Sequence, residues 1–196
     1  MLPRIFCLVS SRDDLSVLGE IALAGVQGFQ VRDPELTTVA LLDLTHRVIE
    51  AVRPHGATVV VNDRLDVALA AGADGVHLGS TDLPVAAART MAPELLIGAT
   101  CRDRDTVVAA GVAGASYAGF GPVFATASKQ GLPQPRGLDG VRDASGVLPL
   151  VGIAGVDATN AADVIGAGAE AVAVIGGIWR QPDPVQAAKE LVTAVG

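Results

Sequence analysis

The sequence predicts a closed (β/α)8 barrel, a TIM barrel, built as a single compact domain over residues 1–196. Three observations predict it. Short apolar runs alternate with Ala-rich amphipathic runs along the whole chain, the pattern of βαβ units around a parallel sheet. A helix end, a glycine and a strand recur at residues 24–31, 71–78, 113–120 and 167–174, ahead of the second, fourth, sixth and eighth apolar runs. That twofold repetition suits a closed ring of eight strands better than an open flavodoxin-like sheet, the alternative, which uses about five. Finally, 196 residues is near the smallest length for such a barrel, and no linker, low-complexity tract or charge block divides them.

The elements follow in order. Strands are read at 5–9, 28–32, 58–62, 75–78, 95–99, 117–120, 150–153 and 171–175, each followed by a helical pattern. In a barrel the functional groups lie where strands run into helices. The first strand runs into Ser10, Ser11 and Arg12, and the second carries Gln30 and Arg32 into Asp33. The third ends on Asn62, Asp63 and Arg64, and the fourth runs through Gly79, Ser80 and Thr81 to Asp82. Thr100, Cys101 and Arg102 close the fifth. The sixth opens a long irregular segment, 121–137, with Thr126, Ser128 and Lys129. Ala154 and Gly155 follow the seventh strand, and Gly176 and Gly177 the eighth.

Asp63 and Asp82 are the most informative pair. Each follows an apolar run and precedes a helix, so consecutive parallel strands deliver both to one sheet edge. Two carboxylates on a common edge suit a hard cation such as Mg²⁺; the alternative is that each caps the following helix. The glycine-rich turns after strands seven and eight let backbone N–H groups approach a phosphate, or simply permit tight turns. The spacing Thr-x-Ser-Lys at 126–129 places two hydroxyls and an ammonium where they can bind phosphate oxygens. The rest of that long segment reads as a lid or a solvated loop. Gln30 and Arg32 share a strand face, and a guanidinium near paired aspartates suits a diphosphate or a salt bridge to one of them. Thr100 and Arg102 have the same relationship. His77 reads as a hydrogen-bonded barrel residue, His46 and His55 as surface residues, and Cys101 as a weak candidate nucleophile.

The bulk numbers exclude other classes. Half the residues are apolar, 50 %, but only 3 % are aromatic, which suits short buried strands under Ala-rich helices. A formal charge of -7 argues against nucleic acid or an anionic membrane as partner. The partners expected are phosphorylated small molecules, with a homo-oligomer allowed. Two cysteines suggest no disulfide framework, and neither a signal peptide nor an 18-residue apolar stretch is found, so a cytoplasmic protein is expected. No P-loop or G-x-G-x-x-G pattern occurs.

At residues 61–68, 73–84 and 119–129 the sequence resembles thiamine phosphate synthase and its relatives, and the resemblance covers nearly the whole chain. It implies a (β/α)8 barrel that joins 4-amino-2-methyl-5-hydroxymethylpyrimidine diphosphate to a thiazole phosphate, giving thiamine phosphate and pyrophosphate. It implies that Asp63 and Asp82 bind Mg²⁺, and that Gln30, Arg32 and Asn62 face the pyrimidine diphosphate, with Lys129 on its phosphates. Thr100 stands where the family has a serine that contacts the same substrate. Thr126 and Ser128 match hydroxyls near the thiazole phosphate, and Gly155, Ile175 and Gly176 complete that pocket. The chain departs from the family pattern at Pro34, where a lysine is usual, at Ser80 for glutamine, and at Arg102 for histidine. Ala154 stands for a glycine and Gly176 for a serine. Arg102 is the candidate to replace the lost cation. A thiazole tautomerase-like enzyme and a non-catalytic barrel binding a phosphorylated ligand are the alternatives.

Overall fold

A computed structural model describes residues 2–126, 131 and 133–196. Its strands are β1 (Ile5–Val9), β2 (Gly28–Val31), β3 (Thr58–Asn62), β4 (Gly75–Leu78), β5 (Leu96–Cys101), β6 (Tyr117–Phe120), β7 (Leu150–Ile153) and β8 (Ala171–Val174). They form a closed barrel in sequence order, and every neighbouring pair, β1 with β8 included, is parallel. The helices are α1 (Leu18–Leu23), α2 (Thr38–Val52), α3 (Leu65–Ala71), α4 (Val85–Met91), α5 (Arg104–Val112), α6 (Gly137–Ala144), α7 (Ala161–Gly166), α8 (Gly176–Trp179) and α9 (Pro184–Val195).

Local chemistry places these boundaries. On α2, Leu41, Leu44, Val48, Ile49 and Val52 recur at helical spacing and are buried, while the Thr37 hydroxyl caps the start by accepting the Ala40 N–H at 3.3 Å. Asp103 and Thr106 form a reciprocal capping box on α5. Asp183 accepts from the N–H groups of Val185 and Gln186 at the start of α9, where Pro184 takes the first turn. The recurring turn glycines, Gly25, Gly72, Gly114 and Gly168, all hold positive φ, at 114°, 64°, 94° and 108°. A residue with a Cβ is strained there, so the chain can turn from helix into strand within a few residues.

Three strand ends differ from the sequence reading. β2 stops at Val31 rather than 32: the Arg32 N–H still donates to the Val9 carbonyl, but Asp33 then turns back to Ser11 ahead of Pro34. β5 is shifted from 95–99 to Leu96–Cys101 because Thr100 and Cys101 keep pairing with Gly119 and Phe120. β8 ends at Val174, since Ile175 begins the turn into α8. The segment after β8 carries two helices, α8 and α9, where one was expected.

Alternate strand residues face in and out. Outward residues such as Val59, Val61, Val76 and Ile97 pack under the helices in the larger apolar cluster. Inside the barrel, Phe6, Leu8, Val60, Tyr117, Val151, Ala171 and Ala173 form a second cluster. The Phe6 and Tyr117 rings stack with centroids 5.6 Å apart. This apolar floor leaves the carboxyl ends of the strands for polar residues.

Candidate active site

The carboxyl-end mouth holds a cavity of about 580 Å³, and strands all around the ring contribute to it. β2 brings Gln30 and Arg32; β3 brings Asn62 and Asp63; the segment after β4 brings Asp82. Thr100 comes from β5, Thr126 from beyond β6, Gly155 from beyond β7, and Ile175 and Gly176 from beyond β8. Every site residue expected from the sequence that is described therefore lines one cavity. Ser128 and Lys129 lie outside the described residues.

The two aspartates are held by their loops. Asp63 follows the last residue of β3 with φ at 63°, a left-handed conformation that Asp tolerates better than most residues, and its N–H donates to the His77 carbonyl at 2.7 Å. Asp82 curls back so that its Oδ2 accepts the Gly79 N–H at 2.7 Å. The helix-cap alternative fails for both. The cap positions of α3 and α4 are Arg64 and Pro84, and neither helix start carries a side-chain cap bond.

Below the mouth, His77 spans two strands. Its Nδ1 lies 3.2 Å from the Tyr117 hydroxyl and its Nε2 3.0 Å from Thr100 Oγ1. The ring fits because its neighbours lack side chains: a Cβ on Gly119 would sit 2.6 Å from His77 Cε1, and one on Gly98 would run into Tyr117 and His77. His77 is thus the hydrogen-bonded barrel residue that the sequence suggested, and it orients Thr100. Burial pushes the Tyr117 hydroxyl well above its ordinary range, so Tyr117 serves as a neutral partner. Burial also lifts the Cys101 thiol to about 11, and its Sγ lies 3.4 Å from the Thr106 carbonyl, which removes it as a nucleophile.

The turn after β7 is knitted to the segment after β6. The N–H groups of Val123 and Phe124 donate to the carbonyls of Ile153 and Ala154, at 2.9 and 3.0 Å. Asn160 Nδ2 holds the Gly155 carbonyl at 2.9 Å. Gly155 cannot carry a side chain, because its Cβ would fall 2.5 Å from the Ala125 carbonyl oxygen. Ala154 keeps φ at 79°, so the glycine-like backbone persists without the glycine.

Arg32 makes no salt bridge to Asp63 or Asp82, so its alternative role as their ion-pair partner is not seen. Arg102 lines the cavity as expected. Asp33, just outside it, is held below the ordinary carboxylate range: burial alone would raise it, but hydrogen bonds from Ser11 and Glu35 and the Arg12 charge outweigh that effect. Sequence reasoning passed over Tyr117, Asp157, Arg180 and Gln181 in the cavity wall. Arg180 was legible in principle, four residues beyond Gly176 and so one helical turn away.

Fold and cavity together define a class: a (β/α)8 barrel whose carboxyl-end mouth gathers paired acids, guanidinium groups, hydroxyls and tight glycine turns. Residues 4–178 match the family model described as thiamine monophosphate synthase. The thiamine-phosphate synthase of Moorella thermoacetica is 41 % identical over 187 residues, which cover 94 % of this chain and 89 % of that protein. The thiamine biosynthesis bifunctional protein ThiM/ThiE of Symbiobacterium thermophilum is 48 % identical over 97 % of this chain, which spans only 40 % of that longer protein. Among solved structures, a thiamine phosphate pyrophosphorylase from Pyrococcus furiosus superposes with a TM-score of 0.89 at 30 % identity, covering 98 % of this chain and 95 % of the other. The chain belongs to the thiamine monophosphate synthase family.

Proposed function

We propose that the mouth condenses 4-amino-2-methyl-5-hydroxymethylpyrimidine diphosphate with a thiazole phosphate, making the protein a transferase of thiamine biosynthesis. The observation that carries this reading is the convergence of Gln30, Arg32, Asn62, Asp63, Asp82 and Thr100 on one cavity, in a chain 41 % identical to a thiamine-phosphate synthase over nearly its full length. In the reaction the bond between the pyrimidine methylene carbon and the diphosphate oxygen breaks, and pyrophosphate leaves with the electron pair. The aminopyrimidine stabilises the resulting benzyl-like cation, and the thiazole nitrogen attacks it. No protein nucleophile is required. The chain's part is to hold two substrates in line and to meet developing charge with fixed groups.

Asp63 and Asp82 are hard oxygen donors on adjacent strand ends, so they fit Mg²⁺. Among the described residues no group of three or more His, Cys, Asp or Glu side chains is arranged to hold a metal. Two protein carboxylates leave the remaining positions to diphosphate oxygens and water, the usual arrangement for this ion. When bound, the cation would neutralise charge on the departing pyrophosphate. Arg32 and Arg102 add fixed positive charge at the same mouth. Gln30 is 5 % exposed and Asn62 comes from the next strand into the same wall, which suits hydrogen bonding to a heteroaromatic ring. The Gly155 turn and the Ile175–Gly176 segment give a close backbone approach for the thiazole phosphate. Thr126 lines the same cavity, and we assign it with Ser128 to the thiazole phosphate and Lys129 to the phosphates of the pyrimidine diphosphate.

Cytoplasmic placement belongs to the same proposal. Its support is that both cysteines are buried and unpaired, and that no helix among the described residues is long and apolar enough to cross a membrane. The test of function is direct. Incubating both substrates with Mg²⁺ should release one pyrophosphate for each thiamine phosphate formed; no product above background, in several metal conditions, would remove the reading.

A further inference from the structure

A second cavity, of about 340 Å³, lies at the carboxyl ends of β1, β2 and β8. It shares four wall residues with the first: Leu8, Arg32, Ile175 and Arg180. The acids of the smaller cavity are already engaged. Asp13 accepts from the Ser10 N–H and hydroxyl, Asp33 from those of Ser11, and Glu35 pairs with Arg12. Among the described residues, Arg32 and Arg180 have neither an acidic partner nor a side-chain hydrogen bond. The wall between the cavities therefore carries two guanidinium groups whose donors are not taken up by another described side chain, and an anion can satisfy them.

Arg180 is positioned by more than chance exposure. Trp179 Nε1 donates to the Leu8 carbonyl at 2.7 Å, which latches α8 onto the end of β1. Arg180 closes α8 with its N–H on the Gly176 carbonyl at 3.3 Å. Its aliphatic stem lies over Gly176: a Cβ there would stand 3.1 Å from Arg180 Cδ and 3.6 Å from its Cγ and Nε. The glycine thus does two things at once. It opens the backbone at the mouth, and it leaves room for the arginine stem to cross.

We propose that Arg180 is a substrate-binding residue whose guanidinium, together with that of Arg32, holds a phosphoryl group of a substrate lying in the main cavity. The proposal rests on the synthase reading for the identity of that substrate. It assigns to the segment after β8 a charge-assisted contact in addition to its backbone groups. Pro34, in the wall of the smaller cavity, brings no charge to this side of the mouth, where Arg32 and Arg180 do.

Steady-state kinetics of Arg180→Ala and Arg180→Lys, with the two substrates varied separately, test the assignment. Loss of a hydrogen-bonded charge contact predicts a rise in KM for one phosphorylated substrate of about tenfold to a hundredfold in Arg180→Ala, with a much smaller change in kcat. Arg180→Lys should recover part of this loss, since it keeps the charge but not the planar fork. The substrate whose KM moves identifies the phosphoryl group. Calorimetric binding of inorganic phosphate and inorganic pyrophosphate to wild type and Arg180→Ala separates the two proposals. Weaker anion binding in the variant, in a wild type without turnover, would overturn the synthase reading and keep Arg180 as an anion ligand. Unchanged KM values for both substrates together with unchanged anion affinities would overturn the role of Arg180.

Discussion

Among the described residues, two other than glycine hold left-handed backbone, and both stand at the mouth: Asp63 with φ at 63° and Ala154 with φ at 79°. Such conformations cost an L-residue about 1–2 kcal/mol and persist where the surroundings over-determine them. At Asp63 the left-handed turn sets an acidic residue in the cavity wall, and a short polar side chain tolerates it. At Ala154 no side-chain chemistry offsets it, because the bonds that hold the turn come from backbone groups of Val123 and Phe124. Ala154→Gly should therefore raise stability by about 1 kcal/mol in chemical denaturation, with turnover retained; a destabilised variant would show that Ala154 packing outweighs the strain. At this scale the sequence was most legible where a residue type names its own chemistry. Asp63, Arg32 and Thr100 could be placed because they stand at strand ends, and Asp82 because it lies in the short segment between β4 and α4. Arg180 was passed over although it stands one turn beyond Gly176, because no apolar periodicity announces that one-turn helix and only the structure shows its stem passing over the glycine.

Elements are set by caps and turns that were largely readable. The four glycines that repeat ahead of alternate strands all adopt the positive φ that their position after a helix requires. The capping box of α5 is equally local, and Asp103→Ala should cost about 1 kcal/mol of stability, read as a lower denaturation midpoint with an unchanged slope. No loss would mean that the α5 start is held by packing instead. What the sequence blurred were strand ends. Periodicity marks the centre of a strand, whereas its end depends on a partner: Cys101 stays in β5 only because Phe120 lies opposite. The split of the segment after β8 into α8 and α9 was hidden for a related reason. Ile175 to Trp179 is apolar and glycine-rich, and reads as readily as a strand end or a turn.

For the whole molecule, closure of the ring brings residues 30 to 176 to one cavity, and the alternation of strands and helices was enough to foresee it. Burial of three weak acids gives this barrel a predictable alkaline weakness. Burial lifts the Cys101 thiol from 9.0 to about 11, and pushes Cys7 and Tyr117 up as well. A raised folded pKa means that the stabilising protonated form is fully present below the unfolded value. As pH rises past about 9, the unfolded chain releases protons that the folded chain keeps, so stability falls through about 11. The melting temperature should decline over that range, and Cys101→Ala should flatten part of the decline; a flat profile in wild type would contradict the burial of these groups.

The role proposed for the third- and fourth-strand acids is to serve a shared cation at the leaving diphosphate. Asp63→Asn tests it most directly, because asparagine keeps the size and the tolerance for left-handed backbone while removing the charge. With both substrates and Mg²⁺ present, pyrophosphate release should fall by roughly a hundredfold to a thousandfold at an unchanged melting temperature. Turnover close to wild type in a folded Asp63→Asn protein would contradict it.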